Sequence, residues 1–157
     1  MRAARRARLV DAPASTAESA SVRYIESSAL VAALLERDPA ALKSVRTTGR
    51  HVTSALTIAE TARAILRARA GARLTAEEER AAVRALRRFE RRSYLVAVTD
   101  AVLARVRRPF PVEPIRTLDA VHLATAELLG EAPQLVTLVT RDVRVRDNAE
   151  ALGYAVE

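Results

Sequence analysis

The chain contains no cysteine and only two histidines, His51 and His122, in 157 residues. The first absence excludes disulfides, thiolate nucleophiles and cysteine-held zinc. The second leaves too little imidazole for a histidine-rich metal site or a two-histidine nuclease. Aromatic residues are 3% of the sequence although half of it is hydrophobic, so the core must be built from Ala, Val, Leu and Ile. Every apolar run falls far short of the roughly 20 residues that span a bilayer. The expectation is a soluble, cytoplasmic protein with no membrane contact, and one domain long enough for a core of its own.

Lysine is nearly missing as well. Of 26 basic residues all but Lys43 are arginine; against 19 acids they leave a net charge of +7 and a sequence pI near 11.0. GC-rich codon usage accounts for Arg over Lys, but less easily for the positive excess. Arginine pairs bidentately with phosphate, so nucleic acid is a plausible partner.

Residues 1–21, "MRAARRARLVDAPASTAESAS", lack a sustained apolar period and read as a basic tail outside the fold. Their Arg-rich, Ser-containing composition is similar to that of a transit peptide, against which Asp11 and Glu18 argue. From Val22 onward, short apolar strands alternate with helical patterns. Strands are expected at Val22–Glu26, "HVTS", "YLVAV", "QLVTLVT" and "YAVE". Between them lie a helix from Ser28 to Glu36 and another opened by Asp38-Pro39. Further helices run through "ALTIAETARAILRARAG", from a capping box of Thr75 with Glu78 to Arg92, and through "DAVLARVRR", "TLDAVHLATAELLG" and "RDVRVRDNAEALG". This alternation predicts an α/β fold with a parallel sheet covered on both faces and a ligand site beyond the carboxyl ends of the strands.

Four acids interrupt or adjoin apolar patterns: Glu26 at the exit of the first strand, Glu60 in "LTIAETA", Asp119 in "TLDAVHLATA", and Asp142 after "QLVTLVT". Singly, each has an ordinary structural account. Asp142 suits an N-cap, Asp119 a helix N-terminus, and Glu60 a pairing with Arg63 or Arg67. Jointly they suggest a metal site, since converging carboxylates repel one another unless a cation neutralises them. Hard oxygen ligands favour Mg2+ or Mn2+, and on a basic protein the natural substrate is a phosphodiester.

The blocks "YIESSALVAALLE", "SALTIAETARAI", "RTLDAVHLATA" and "LVTRDVRVRDNAEALGYAV" resemble, in order and spacing, the motifs of PIN-domain ribonucleases, most closely the VapC-type toxins of toxin–antitoxin pairs. The resemblance covers about Val22 to Val156. It implies a three-layer α/β/α sandwich over residues 22–157, with a central, mainly parallel sheet of about five strands. It also implies an endoribonuclease that uses Mg2+ or Mn2+ and leaves a 5′ phosphate and a 3′ hydroxyl. A homodimer and a cognate antitoxin over the acidic pocket are further implications. The family's four acids fall on Glu26, Glu60, Asp119 and Asp142, with Glu26, Asp119 and Asp142 as the metal ligands. Ser28 and Thr140 match its supporting hydroxyl positions. Glu26 departs from the family, which usually has Asp there; the extra methylene displaces the carboxylate by about one C–C bond.

Arg141 and Arg144 are candidates for gripping phosphates beside Asp142. His122 reads as a hydrogen-bonded structural histidine, and Asp147 and Asn148 as a solvated helix face. Two other readings stand beside the nuclease. One is a catalytically weakened module that binds RNA or protein. The other is a haloacid-dehalogenase-type phosphatase, which needs a second aspartate two residues after the first where this chain has Ser28.

Overall fold

The computed structural model describes residues 22–157. The tail expected over residues 1–21 lies outside the described residues. Five strands, β1 (Val22–Ile25), β2 (Arg50–Ser54), β3 (Tyr94–Val96), β4 (Val136–Val139) and β5 (Ala155–Val156), form one sheet in the order β3-β2-β1-β4-β5. Every neighbouring pair is parallel. β1 is central and all four of its residues are buried, as a strand covered on both faces requires.

Alternation of side chains divides the core into two layers. On one face Val22, Tyr24, Val52, Val136 and Leu138 pack with α5 (Asp100–Val106), α6 (Thr117–Glu127) and α7 (Val143–Ala151). On the other, Ile25 and Val139 pack with α1 (Ser27–Val31), α3 (Ala55–Ala70) and α4 (Ala76–Arg92). Helices on both faces of a parallel sheet make the three-layer α/β/α sandwich. In α6 every residue from Ala120 to Ala126 is buried; its alanines let the helix lie close against the sheet, and only its ends meet solvent.

The helix starts follow the local chemistry of the sequence. Asp38 caps α2 (Pro39–Arg46) with Pro39 in its first turn, Ser54 caps α3, and Thr75 and Glu78 form the reciprocal capping box of α4. The expected helix from Ser28 to Glu36 is instead α1 followed by a π-helical turn over Ala32–Glu36. That wider turn presses Ala32 and Ala33 onto Ala41 of α2, a contact only small side chains permit. The fourth strand starts at Val136, because Pro133–Leu135 form a 3-10 turn ahead of it.

Strand order fixes where a site can form. The chain lays β2 and β3 to one side of β1, then returns to lay β4 and β5 on the other. The crevice where direction reverses lies between the carboxyl ends of β1 and β4. There the Glu26 N–H donates to the Val139 carbonyl at 3.0 Å, which brings the β1–α1 corner against the β4–α7 corner. At the opposite sheet surface, Arg23 is buried with its guanidinium on the Glu157 carboxylate at 2.6 and 3.1 Å and on the Ser44 carbonyl at 3.2 Å. No described helix is long and apolar enough to cross a membrane.

Candidate active site

Glu26 occupies the N-cap of α1 and is 2% exposed. A buried carboxylate must be heavily solvated by protein groups, and this one is. Its Oε2 accepts from the Ser28 N–H at 3.0 Å, from the Thr140 hydroxyl at 2.8 Å and from the Ser28 hydroxyl. Its Oε1 accepts from the Ser27 hydroxyl at 2.6 Å. The same hydroxyls hold the loop after β4. Ser28 Oγ accepts from the Arg141 N–H at 2.7 Å and the Asp142 N–H at 3.1 Å, and Thr140 Oγ1 accepts from the Asp142 N–H at 3.1 Å. Ser28 and Thr140 thus tie Glu26 to the Asp142 loop.

Glu60, on α3, comes to Glu26 from the other side. His122 Nε2 lies 2.7 Å from Glu60 Oε2 and 3.7 Å from Glu26 Oε1. Ligand atoms of Glu26, Glu60 and His122 all fall within 4.8 Å of one another. Burial pushes the Glu60 carboxyl up, but the hydrogen bond and charge of His122, the Ser27 hydroxyl and the Arg67 charge together hold it below its ordinary value.

Asp119 stands in the first turn of α6, where the helix dipole favours an anion. Its Oδ2 is buried without a hydrogen-bond partner. Burial first, then the nearby charges of Asp142 and Glu26, push its carboxyl above its ordinary value, with Arg116 and His122 offsetting part. Asp142 caps α7: its Oδ1 accepts from the Arg144 N–H at 2.8 Å and the Val145 N–H at 3.3 Å. Glu26 couples to Glu60 through His122, and Asp119 feels both Glu26 and Asp142.

Glu26, Glu60 and His122 form a group that could hold a metal ion. The unpartnered Asp119 Oδ2 lacks a positive partner, and a cation held by hard carboxylate oxygens would supply one without cysteine. Arg141 is less free than expected, since its Nε donates to Asp38 Oδ2 at 3.0 Å; Arg144 is exposed. Asp147 is solvated, but Asn148 is buried and not part of a solvated face. Its amide accepts from the Val112 N–H at 2.9 Å and donates to the Val112 carbonyl at 2.8 Å, clamping the loop before α6. Sequence reasoning placed neither the Ser27 hydroxyl nor His122 at the acids. The spacing of Asp119 and His122, three residues apart and so on one helix face, is the signal that marks His122.

The family described as "PIN domain" matches residues 23–151. Two Mycobacterium tuberculosis relatives match most of the chain. Ribonuclease VapC35 is 40% identical over 141 residues, covering 85% of this chain and 93% of that protein. Ribonuclease VapC46 is 42% identical over 136 residues, covering 85% and 94%. Among solved structures, Mycobacterium tuberculosis VapC20, described as a Sarcin-Ricin loop cleaving toxin, superposes with a TM-score of 0.60 at 16% identity, covering 85% of this chain and 96% of that one. At that identity the likeness speaks for the fold alone. With a family match across nearly the whole described fold and full-length relatives at this identity, the chain belongs to the PIN-domain family, among the VapC ribonucleases.

Proposed function

We propose that the chain is an endoribonuclease dependent on Mg2+ or Mn2+, and the toxin of a toxin–antitoxin pair. What supports the reading is the meeting of Glu26 and Glu60 at His122, with the charges of Asp142 and Glu26 bearing on the buried Asp119, in a chain 40% identical to a VapC ribonuclease. Asp119, Asp142 and Glu26 Oε1 would hold the cation, with Glu60 at its edge. Once bound, it supplies positive charge to a phosphoryl oxygen and acidifies water. Glu60 Oε2 is taken by His122, so Oε1 is the oxygen left to accept a proton from the attacking water. The side chains of Ser28 and Thr140 keep Glu26 in place, and exposed Arg144 faces incoming phosphates. Cleavage would leave a 5′ phosphate and a 3′ hydroxyl, with no part for the 2′ hydroxyl. The native partners in this reading are an RNA substrate, a second copy of the chain and a cognate antitoxin that covers the acidic pocket.

The test is cleavage of a structured RNA with Mn2+ by the wild type and by Asp119→Asn. The variant is expected to lose roughly 100-fold or more; equal rates would refute the nuclease reading. One observation favours the rival binding module: Glu26 already accepts four hydrogen bonds within the protein. Calorimetric titration separates the two, because a decayed site binds no Mn2+ saturably.

A further inference from the structure

His122 enters the mechanism above only by occupying Glu60 Oε2. Its side chain is 1% exposed, at a position where an alanine or leucine would extend the apolar face of α6. Burying an imidazole is unfavourable unless both nitrogens find partners, and both do. Nε2 faces Glu60 Oε2 at 2.7 Å and Nδ1 faces the Tyr24 hydroxyl at 3.2 Å. An ionised carboxylate only accepts, so Nε2 carries the hydrogen and donates it to Glu60. Tyr24 is itself wholly buried on the central strand, edge-on to the imidazole at 70° with ring centroids 6.3 Å apart. The contacts run from β1 through α6 to α3, so each group is fixed by a different part of the core.

Beyond His122, Glu60 has the Ser27 hydroxyl and the Arg67 charge as its weaker partners. Its side chain is 24% exposed at the open side of the pocket, and repulsion from Glu26 favours a turn toward solvent. The Nε2–H opposes that turn, standing 2.7 Å from one carboxylate and 3.7 Å from the other. We propose that His122, anchored by Tyr24, is a positioning residue: it holds Glu60 beside Glu26, so that both carboxylates form one edge of a divalent-cation site before the ion arrives. The inference rests on the metal-dependent reading above. His122 itself is no ligand, because the nitrogen it turns to the acids bears the hydrogen. Outer partners of this kind set the orientation of metal-binding side chains.

Mn2+ affinity, measured by calorimetry on the full chain, tests the inference. His122→Leu is expected to weaken binding by about 10–100-fold. His122→Gln, which keeps an N–H donor directed at Glu60, should stay within about 3-fold of wild type. Tyr24→Phe removes one oxygen and should weaken binding several-fold, with no added loss in the His122→Leu background. Unfolding in EDTA establishes that each variant is folded. A merely structural histidine would lower stability in the Leu and Gln variants alike and leave Mn2+ affinity unmoved, which would overturn the inference. So would strong nitrogen modulation in the spin-echo spectrum of bound Mn2+, the mark of a directly ligated imidazole. Failure of the wild type to bind Mn2+ at all would defeat the metal-dependent reading, and this inference with it.

Discussion

Replacing Asp119 with Asn should reverse the order of stability between two conditions. Without metal, the wild type carries a buried, unpartnered Oδ2 whose charge is raised in energy by Asp142 and Glu26. Leaving such an atom unsatisfied costs about 1–3 kcal/mol, more when charged. Asn keeps the shape and a polar atom but removes the charge, so about 1 kcal/mol is recovered. For a chain of this length that raises the melting temperature by about 3 °C. With Mn2+ at about 100 times its dissociation constant, the wild type gains about 2.7 kcal/mol, or about 8 °C, while a variant lacking the ligand gains nothing. Melting curves in EDTA should therefore place Asp119→Asn above the wild type by about 3 °C, and curves in Mn2+ should place it below by about 5 °C. If the variant melts lower in EDTA, or if Mn2+ stabilises both proteins equally, Asp119 is not the strained ligand this reasoning requires.

Two further tests probe the scaffold. Thr140→Val removes the hydroxyl 2.8 Å from Glu26 Oε2 and should cost about 2 kcal/mol. Thr140→Ser keeps it and should cost only about 1 kcal/mol for the lost methyl group; a Val variant as stable as the wild type in urea would show that the hydroxyl contributes nothing. Glu157→Gln weakens the pair with buried Arg23, whose hydrogen bonds hold the Glu157 carboxyl below its ordinary value. The carboxylate is 45% exposed, so screening limits the loss at pH 7 to about 1 kcal/mol. A depressed folded value means that this stabilisation is complete above the unfolded carboxyl range and fades as pH falls through the lowered one. Urea midpoints of variant and wild type should therefore converge at acid pH, and a constant gap down to about pH 3 would contradict the assignment.

The sheet was legible because buried parallel strands announce themselves as short apolar runs, and Val22–Ile25 is the central strand with Val136–Val139 beside it. Glu26 and Glu60, which the structure brings together at His122, drew notice because each breaks such a pattern. Partners far along the chain were not. Arg141 meets Asp38 across 103 positions and Asn148 meets Val112 across 36. Periodicity says which side of a helix faces inward, not what waits there. The same limit hid the clamp made by Asn148 and the place of His122 at Glu60. The π-helical turn escaped because "ALVAALLE" suits an ordinary helix; tertiary contact with Ala41 decides the wider one.

The four carboxylates are drawn from the end of β1, from α3, from α6 and from the start of α7, so the first and last are separated by most of the molecule. On the proposed assignment, a ribosome that has not yet released Asp142 has made an incomplete set. Proteolysis anywhere between the first strand and the last helix would separate members of the set once the pieces dissociate. In the reading proposed above, the capacity to cut is thus acquired only once α7 has joined the sheet, and it is lost when members of the set are parted.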